Sequence, residues 1–323
     1  MNDPIVLRYL GKSDLKVSPV GLGCWQFSQQ GNFAGKFWPF LQNSEINHIV
    51  KVSLQGGINW FDTAELYGNG VSEKNLAMAL EANKVAQGEV IIATKWSPLF
   101  RRASNILKTI EKRTSVLSPF PIDLYQVHNP YSFSSEVKEM QALAVLVKSG
   151  KIKYAGVSNF SASKMRSAWK TLDRSGLPLL SNQVRYNLLD RRIERNGVLE
   201  AAKELGITII AYSPLAQGIL TGKYHEYPEL VKKAGYRKAM PQFKSKGLEK
   251  SKPVITILKK LAEKYNVTPS QVALNWLIHF HENTVVVIPG ATNPKQAEEN
   301  VGAMRFRLSE EDLQALDIIS KNL

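Results

Sequence analysis

VIIATKWSPLFRRASNILKTIEKRTSVLSPFPIDLYQVH, residues 90–128, carries two short apolar runs rich in β-branched residues, 90–95 and 124–128, on either side of a longer amphipathic stretch. Such a segment reads as strand, helix, strand, the unit that sets two parallel strands side by side under a covering helix. The same alternation continues in both directions. It predicts strands at 20–23 and 58–61 before this unit and at 154–158, 180–184, 208–212 and 285–288 after it. Eight strands alternating with helices over 323 residues predict an α/β fold, a (β/α)8 TIM barrel built by residues 1–323 as a single domain.

Local signals refine this outline. Val254, Ile257, Leu258, Leu261, Ala262 and Tyr265 return at spacings of three and four, the mark of a helix face. Thr268-Pro269-Ser270-Gln271 supplies an N-cap, a proline at the first helical position and a glutamine three residues on, so a helix should start there and bury Val272, Ala273, Trp276, Leu277 and Phe280. Ser309-Glu310-Glu311-Asp312 opens a C-terminal helix carrying Leu313, Leu316 and Ile319. Ahead of the barrel, segments 6–10 and 15–17 flank the turn-rich Gly11-Lys12-Ser13-Asp14 and predict an N-terminal β-hairpin that plugs the barrel bottom. Residues 218–253 gather Lys232, Lys233, Arg237, Lys238, Lys244, Lys246, Lys250 and Lys252 without periodicity and read as a long loop after the seventh strand.

Composition narrows the function classes. The net charge of +14 suits solvated helix faces or a polyanionic small-molecule partner, and no zinc-finger, basic-zipper or RNA-binding pattern accompanies it, so nucleic acid is not expected. Cys24 is the sole cysteine, which excludes an intramolecular disulfide and a multi-cysteine metal site and points to a reducing, cytoplasmic setting. No apolar run approaches the roughly 18 residues needed to cross a bilayer, and residues 1–10, with Asp3, Pro4 and Arg8, carry no export signal. The expectation is a monomer or small homo-oligomer with no membrane partner and no metal.

Active sites of such barrels lie at the C-terminal ends of the strands, and there the sequence is polar. Asp62 ends the second strand, Lys95 the third, His128 the fourth, Ser158-Asn159 the fifth, Gln183 the sixth and Tyr212-Ser213 the seventh. Singly, an Asp after a strand is usually a helix cap, a Tyr packing and a Lys solvent-facing; their recurrence at equivalent strand ends is what one shared cavity requires. The chemistry that fits is hydride transfer to a carbonyl with protonation of its oxygen. Tyr67 would be the general acid, Lys95 the cation that lowers its pKa, Asp62 the anchor of Lys95, and His128 a donor that orients the carbonyl. Burial of the Lys95–Asp62 pair is tolerable only if the two are close and hydrogen-bonded.

These residues resemble the aldo-keto reductase family across nearly the whole chain. Phe61-Asp62-Thr63-Ala64-Glu65-Leu66-Tyr67-Gly68, Ala93-Thr94-Lys95, Asp123-Leu124-Tyr125-Gln126-Val127-His128, Gly156-Val157-Ser158-Asn159-Phe160 and Ile288-Pro289-Gly290-Ala291 follow the family's motifs in order. The resemblance implies an NADPH-dependent reductase of aldehydes and ketones. Ser158, Asn159 and Gln183 would hold the nicotinamide carboxamide, Tyr212 would stack on the ring, and Ser213, Leu215, Gln217, Gly218 and Lys223 would follow the pyrophosphate. Gly290, Thr292, Gln296, Glu299 and Asn300 would meet the adenosine end. Where many members place an arginine against the 2′-phosphate, this chain has Gln296 preceded by Lys295, so Lys295 and the basic stretch are expected to supply that charge, with NADH a weaker alternative. Trp25, counted with the cofactor residues, joins Phe37, Trp38 and Trp96 as candidate walls of an apolar pocket for small-molecule carbonyl substrates.

Two other readings use the same residues. Similar barrels act as cofactor-sensing regulatory subunits of ion channels, for which a blocking tail ahead of the barrel would be expected and none is seen in the sequence. A Schiff-base aldolase would use Lys95 as nucleophile but leaves the polar ends of the fifth to seventh strands without a task.

Overall fold

Alternation along each strand decides which side chains meet inside the barrel and which meet the helices. In the computed structural model, which describes residues 5–29 and 37–321, the strands are β1 Arg8–Tyr9, β2 Lys16–Val17, β3 Leu22–Gly23, β4 Trp60–Asp62, β5 Ile91–Trp96, β6 Leu124–Val127, β7 Tyr154–Ser158, β8 Leu179–Arg185, β9 Thr208–Tyr212 and β10 Val285–Val287. β3 to β10 pair in sequence order, all parallel, as one eight-stranded sheet. It closes into a barrel through parallel bridges Val20–Val287 and Gly23–Gly290. Gly21 and Gly23 donate to the carbonyls of Val287 and Pro289 at 2.8 and 3.0 Å, and Val287 donates to Pro19 at 3.0 Å.

Trp60, Ala93, Leu124, Leu180, Ile210 and Val286 point inward and form a core with Leu10, Leu15 and Val17 of the β1–β2 hairpin. The alternate positions Phe61, Ile92, Tyr125, Val157, Ile209 and Val287 point outward into the helix layer. Each fully buried aliphatic or aromatic side chain here contributes roughly 1.5–3 kcal/mol. The hairpin pairs antiparallel as expected and seals the end opposite the polar strand termini. Gly11, at φ +55°, donates to Thr208 Oγ1 at 2.7 Å, and a Cβ there would lie 2.6 Å from the Leu180 carbonyl oxygen, so only glycine fits this turn against the barrel floor.

Helix Pro269–His279 starts with the expected capping box, Thr268 against Gln271, and the C-terminal helix spans Glu310–Lys321. Residues 218–253 depart from the expected loop. They form short helical turns over Ala216–Thr221, Lys223–Glu226, Pro228–Lys233, Gly235–Ala239 and Pro241–Phe243, then a helix Ser245–Tyr265 that runs through Pro253. Proline removes an internal hydrogen bond and usually marks a boundary, so the sequence reads the helix from Val254, whereas it starts at Ser245. Among the described residues no helix is long and apolar enough to cross a membrane and no His, Cys, Asp and Glu cluster could hold a metal. Asp3 and Pro4 lie outside the described residues.

Candidate active site

The loop after β4 presents Tyr67, and its backbone is pinned on both sides. Thr63 N donates to Ala93 O at 2.8 Å, Glu65 Oε1 accepts from Ser97 N and Arg101 Nη1 at 2.5 Å each, and Ser72 Oγ donates to Cys24 O at 2.6 Å. Gly68, at φ +67°, approaches Ser28 so closely that a Cβ would sit 2.4 Å from its carbonyl oxygen. The tyrosine is therefore fixed by turn geometry as well as by packing.

Lys95, fully buried, sends its ammonium to Asp62 Oδ1 at 2.5 Å, the Thr63 carbonyl at 2.8 Å and the Tyr67 hydroxyl at 3.5 Å. Asp62 Oδ2 accepts from Gln183 Nε2 at 2.8 Å and Gln126 Nε2 at 3.2 Å. Burial opposes the lysine's charge, but Asp62 and Tyr67 outweigh it and hold the pKa above its ordinary value. For Tyr67 the balance is the reverse of the expectation. Burial is the largest influence and carries the phenol above its ordinary value, with Lys95 pulling it back only in part. The phenol therefore holds its proton through the neutral range. Burial, and then the charge of Lys95, push His128 well below its ordinary value, so its imidazole is neutral. Its ring meets Tyr67 edge to face at 5.6 Å, and its Nδ1 is buried without a partner.

Above this group lies a cavity of about 810 Å³. Asp62, Tyr67 and His128 form its floor, and of the other expected catalytic and cofactor residues all but Lys95, which lies behind Asp62, line it: Trp25, Ser158, Asn159, Gln183, Tyr212, Ser213, Leu215, Gln217, Gly218, Lys223, Gly290, Thr292, Lys295, Gln296, Glu299 and Asn300. Ser158 Oγ donates to Gln183 O at 2.8 Å, and Asn159, at φ +60°, receives the Tyr212 hydroxyl on Oδ1 at 3.0 Å while its Nδ2 donates to Asn129 Oδ1 at 2.9 Å. Thr292 N donates to Gln296 Oε1 at 2.8 Å. Burial raises the Glu299 carboxyl against the pull of Lys295 and Lys223.

The lining of the cavity fits a polyanionic dinucleotide. Ser213, Ala216, Gln217 and Gly218 all take positive φ, the turning of successive peptides that builds anion-binding concavities. Lys223, Lys295 and Arg237 line the same side. At Gly290 a Cβ would collide with the Gln26 amide at 2.2 Å, so the wall there is backbone.

The aldo/keto reductase family model matches residues 19–321. The chain belongs to the aldo/keto reductase family. An uncharacterized oxidoreductase of Mycobacterium tuberculosis is 35% identical over 314 residues, covering 96% of this chain and 92% of that one. An aldo-keto reductase of Strobilurus tenacellus is 32% identical, covering 97% and 91%. Among solved structures, the glycerol dehydrogenase of Gluconobacter oxydans superposes with a TM-score of 0.81 at 28% identity, covering 97% and 94%. As a member of this family the protein is an oxidoreductase of carbonyl compounds, and its fold is the family's (β/α)8 barrel.

One expected wall of this reductase's cavity is elsewhere. Trp25, Phe37 and Trp38 line it as an aromatic cluster, Trp25 stacked on Phe37 at 4.9 Å and on Tyr67 at 5.8 Å. Trp96 does not: it is fully buried in the helix layer, with Nε1 donating to Asn105 Oδ1 at 3.0 Å. Lys95 points inward, so the next residue on the strand must point outward. Arg185 and Asn129 line the cavity and were not anticipated, and Arg237 was seen only as one of many basic residues. Arg185 shares the inward face of Gln183, a periodicity that would have found it.

Proposed function

We propose that this reductase converts aldehydes and ketones to alcohols with NADPH, Tyr67 being the general acid. The observation that carries the reading is the Lys95 ammonium joining Asp62 and Tyr67 at the cavity floor. When bound, the reduced nicotinamide supplies the hydride. Ser158, Asn159 and Gln183 hold its carboxamide, Tyr212 backs the ring, and Ser213, Leu215, Gln217, Gly218 and Lys223 follow the pyrophosphate. Gly290, Thr292, Gln296, Glu299 and Asn300 receive the adenosine end. Lys295, Lys223 and Arg237 favour the extra phosphate of NADPH, with NADH the weaker ligand because the lysines act as point charges without a bidentate fork.

Tyr67 gives its phenolic proton to the carbonyl oxygen as negative charge develops there. Lys95 stabilises the phenolate left behind, and Asp62, held by Gln126 and Gln183, keeps the ammonium in place. His128, neutral, orients the carbonyl by hydrogen bonding. The Trp25, Phe37 and Trp38 wall favours substrates with an aromatic or aliphatic body. Dinucleotide titration by fluorescence followed by an aldehyde panel tests this. Tyr67→Phe should lower kcat by about 10²–10⁴ with NADPH affinity intact. Full turnover in that variant would remove Tyr67 from the mechanism, and absence of dinucleotide binding would remove the reductase reading.

A further inference from the structure

β8 ends at Arg185, two residues beyond Gln183 and therefore on the same inward face. The side chain lines the cavity, in register with Tyr212 on β9, its guanidinium carbon 5.8 Å from the centre of that ring. Its Nε is buried and meets no acceptor; the rest of the guanidinium reaches the Tyr212 side chain, a neutral phenol, and no carboxylate pairs with it among the described residues. The other cavity cations are matched within the protein. Lys223 and Lys295 act on Glu299. Arg237 donates to Gln217 O at 2.9 Å and Ala234 O at 3.1 Å and lies over the Trp38 ring.

A guanidinium N–H withdrawn from water without an acceptor is destabilising unless something else supplies one. The residue sits in the ring of strand ends that surrounds the reacting atoms, and its planar fork matches an oxyanion with two oxygens. We propose that Arg185 is an anion anchor of this cavity, receiving an oxyanion: the carboxylate of an aldehyde acid whose body lies along the aromatic wall, or a phosphate of the dinucleotide. The inference rests on the reductase reading given above. It adds a charged group to the substrate or a contact to the dinucleotide, neither of which the apolar wall supplies.

Arg185→Met keeps the apolar stem and removes the charge, and Arg185→Lys keeps a point charge without the fork. Both are assayed with 4-carboxybenzaldehyde and 4-methylbenzaldehyde, and NADPH binding is followed by fluorescence. In Arg185→Met the ratio of kcat/KM for the charged over the neutral aldehyde should fall about 10- to 100-fold, partly recovered in Arg185→Lys. A rise of that size in the NADPH Kd with the ratio unchanged assigns the anchor to a phosphate. If ratio and Kd both stay at wild-type values in Arg185→Met, the inference is wrong. Wild-type protein that reduces no aldehyde with either dinucleotide is a different failure, that of the reductase reading, and the Kd values of Arg185→Met for NADPH and for 4-carboxybenzaldehyde, both followed by fluorescence, still decide together whether the anchor exists.

Discussion

Lys95 has three protons to give, and their targets set the behaviour of Tyr67. Asp62 and the Thr63 carbonyl take the closer contacts and the phenol the longer one. Because burial keeps the phenol protonated beyond its ordinary range, kcat/KM for aldehyde reduction should stay level from roughly pH 6 to 9 and decline only on the alkaline side. Alcohol oxidation needs the phenolate and should rise over the same interval. A reduction rate that halves between pH 7 and 8 would contradict the assignment. Neutral His128 adds no acidic limb near neutrality, its pKa lying well below the usual histidine value. Asp62, Lys95 and His128 were legible in the sequence because strand termini face one mouth, and Tyr67 because a recognisable turn follows Asp62. The direction of the tyrosine's shift was not, since desolvation depends on a cavity no single residue encodes. Trp96 and Arg185 depart from the sequence expectation for one reason: side-chain parity continues past a strand's last polar residue, turning Trp96 outward and Arg185 inward.

Behind β5 a buried ion pair couples two helices to the strand that carries Lys95. Glu73, on helix Val71–Ala82, pairs with Arg113 of helix Ser104–Leu117 and receives Thr94 Oγ1 at 2.6 Å. Both side chains are almost wholly withdrawn from solvent. Glu73→Ala would leave an uncompensated buried guanidinium, so it should cost about 3–5 kcal/mol in urea unfolding, and replacing both partners with apolar residues should cost less. A loss below about 1 kcal/mol for Glu73→Ala would show that Arg113 finds another acceptor. At this scale the capped helices were legible because their start signals are local, as at Thr268. Helical turns over 216–243 were not, because their short lengths never complete a periodic face and Pro253 hides the continuity of the next helix.

Over the whole molecule the charge is uneven. Lys232, Lys233, Lys238, Lys244, Lys246, Lys250 and Lys252 are exposed on the stretch that also sends Lys223 and Arg237 into the cavity. Fields of one sign beside a cleft raise association rates for anions and weaken with salt. Stopped-flow association of NADPH should slow steeply between about 10 and 150 mM salt, as the screening length shrinks from about 30 to 8 Å, and more so than that of NADH. Equal slopes for the two would dismiss steering by this stretch. The net charge was plain from composition, but its orientation toward the mouth required the folded path of residues 216–243.

Gly23, Cys24 and Gly290 lie on opposite sides of the line where the first and last strands of the cylinder join, and all three also face the cavity. A ligand resting there works as a clasp across the join. Occupancy and resistance to global unfolding are then one linked equilibrium, in which every tenfold rise in ligand above its dissociation constant adds about 1.4 kcal/mol to the cost of opening the cylinder.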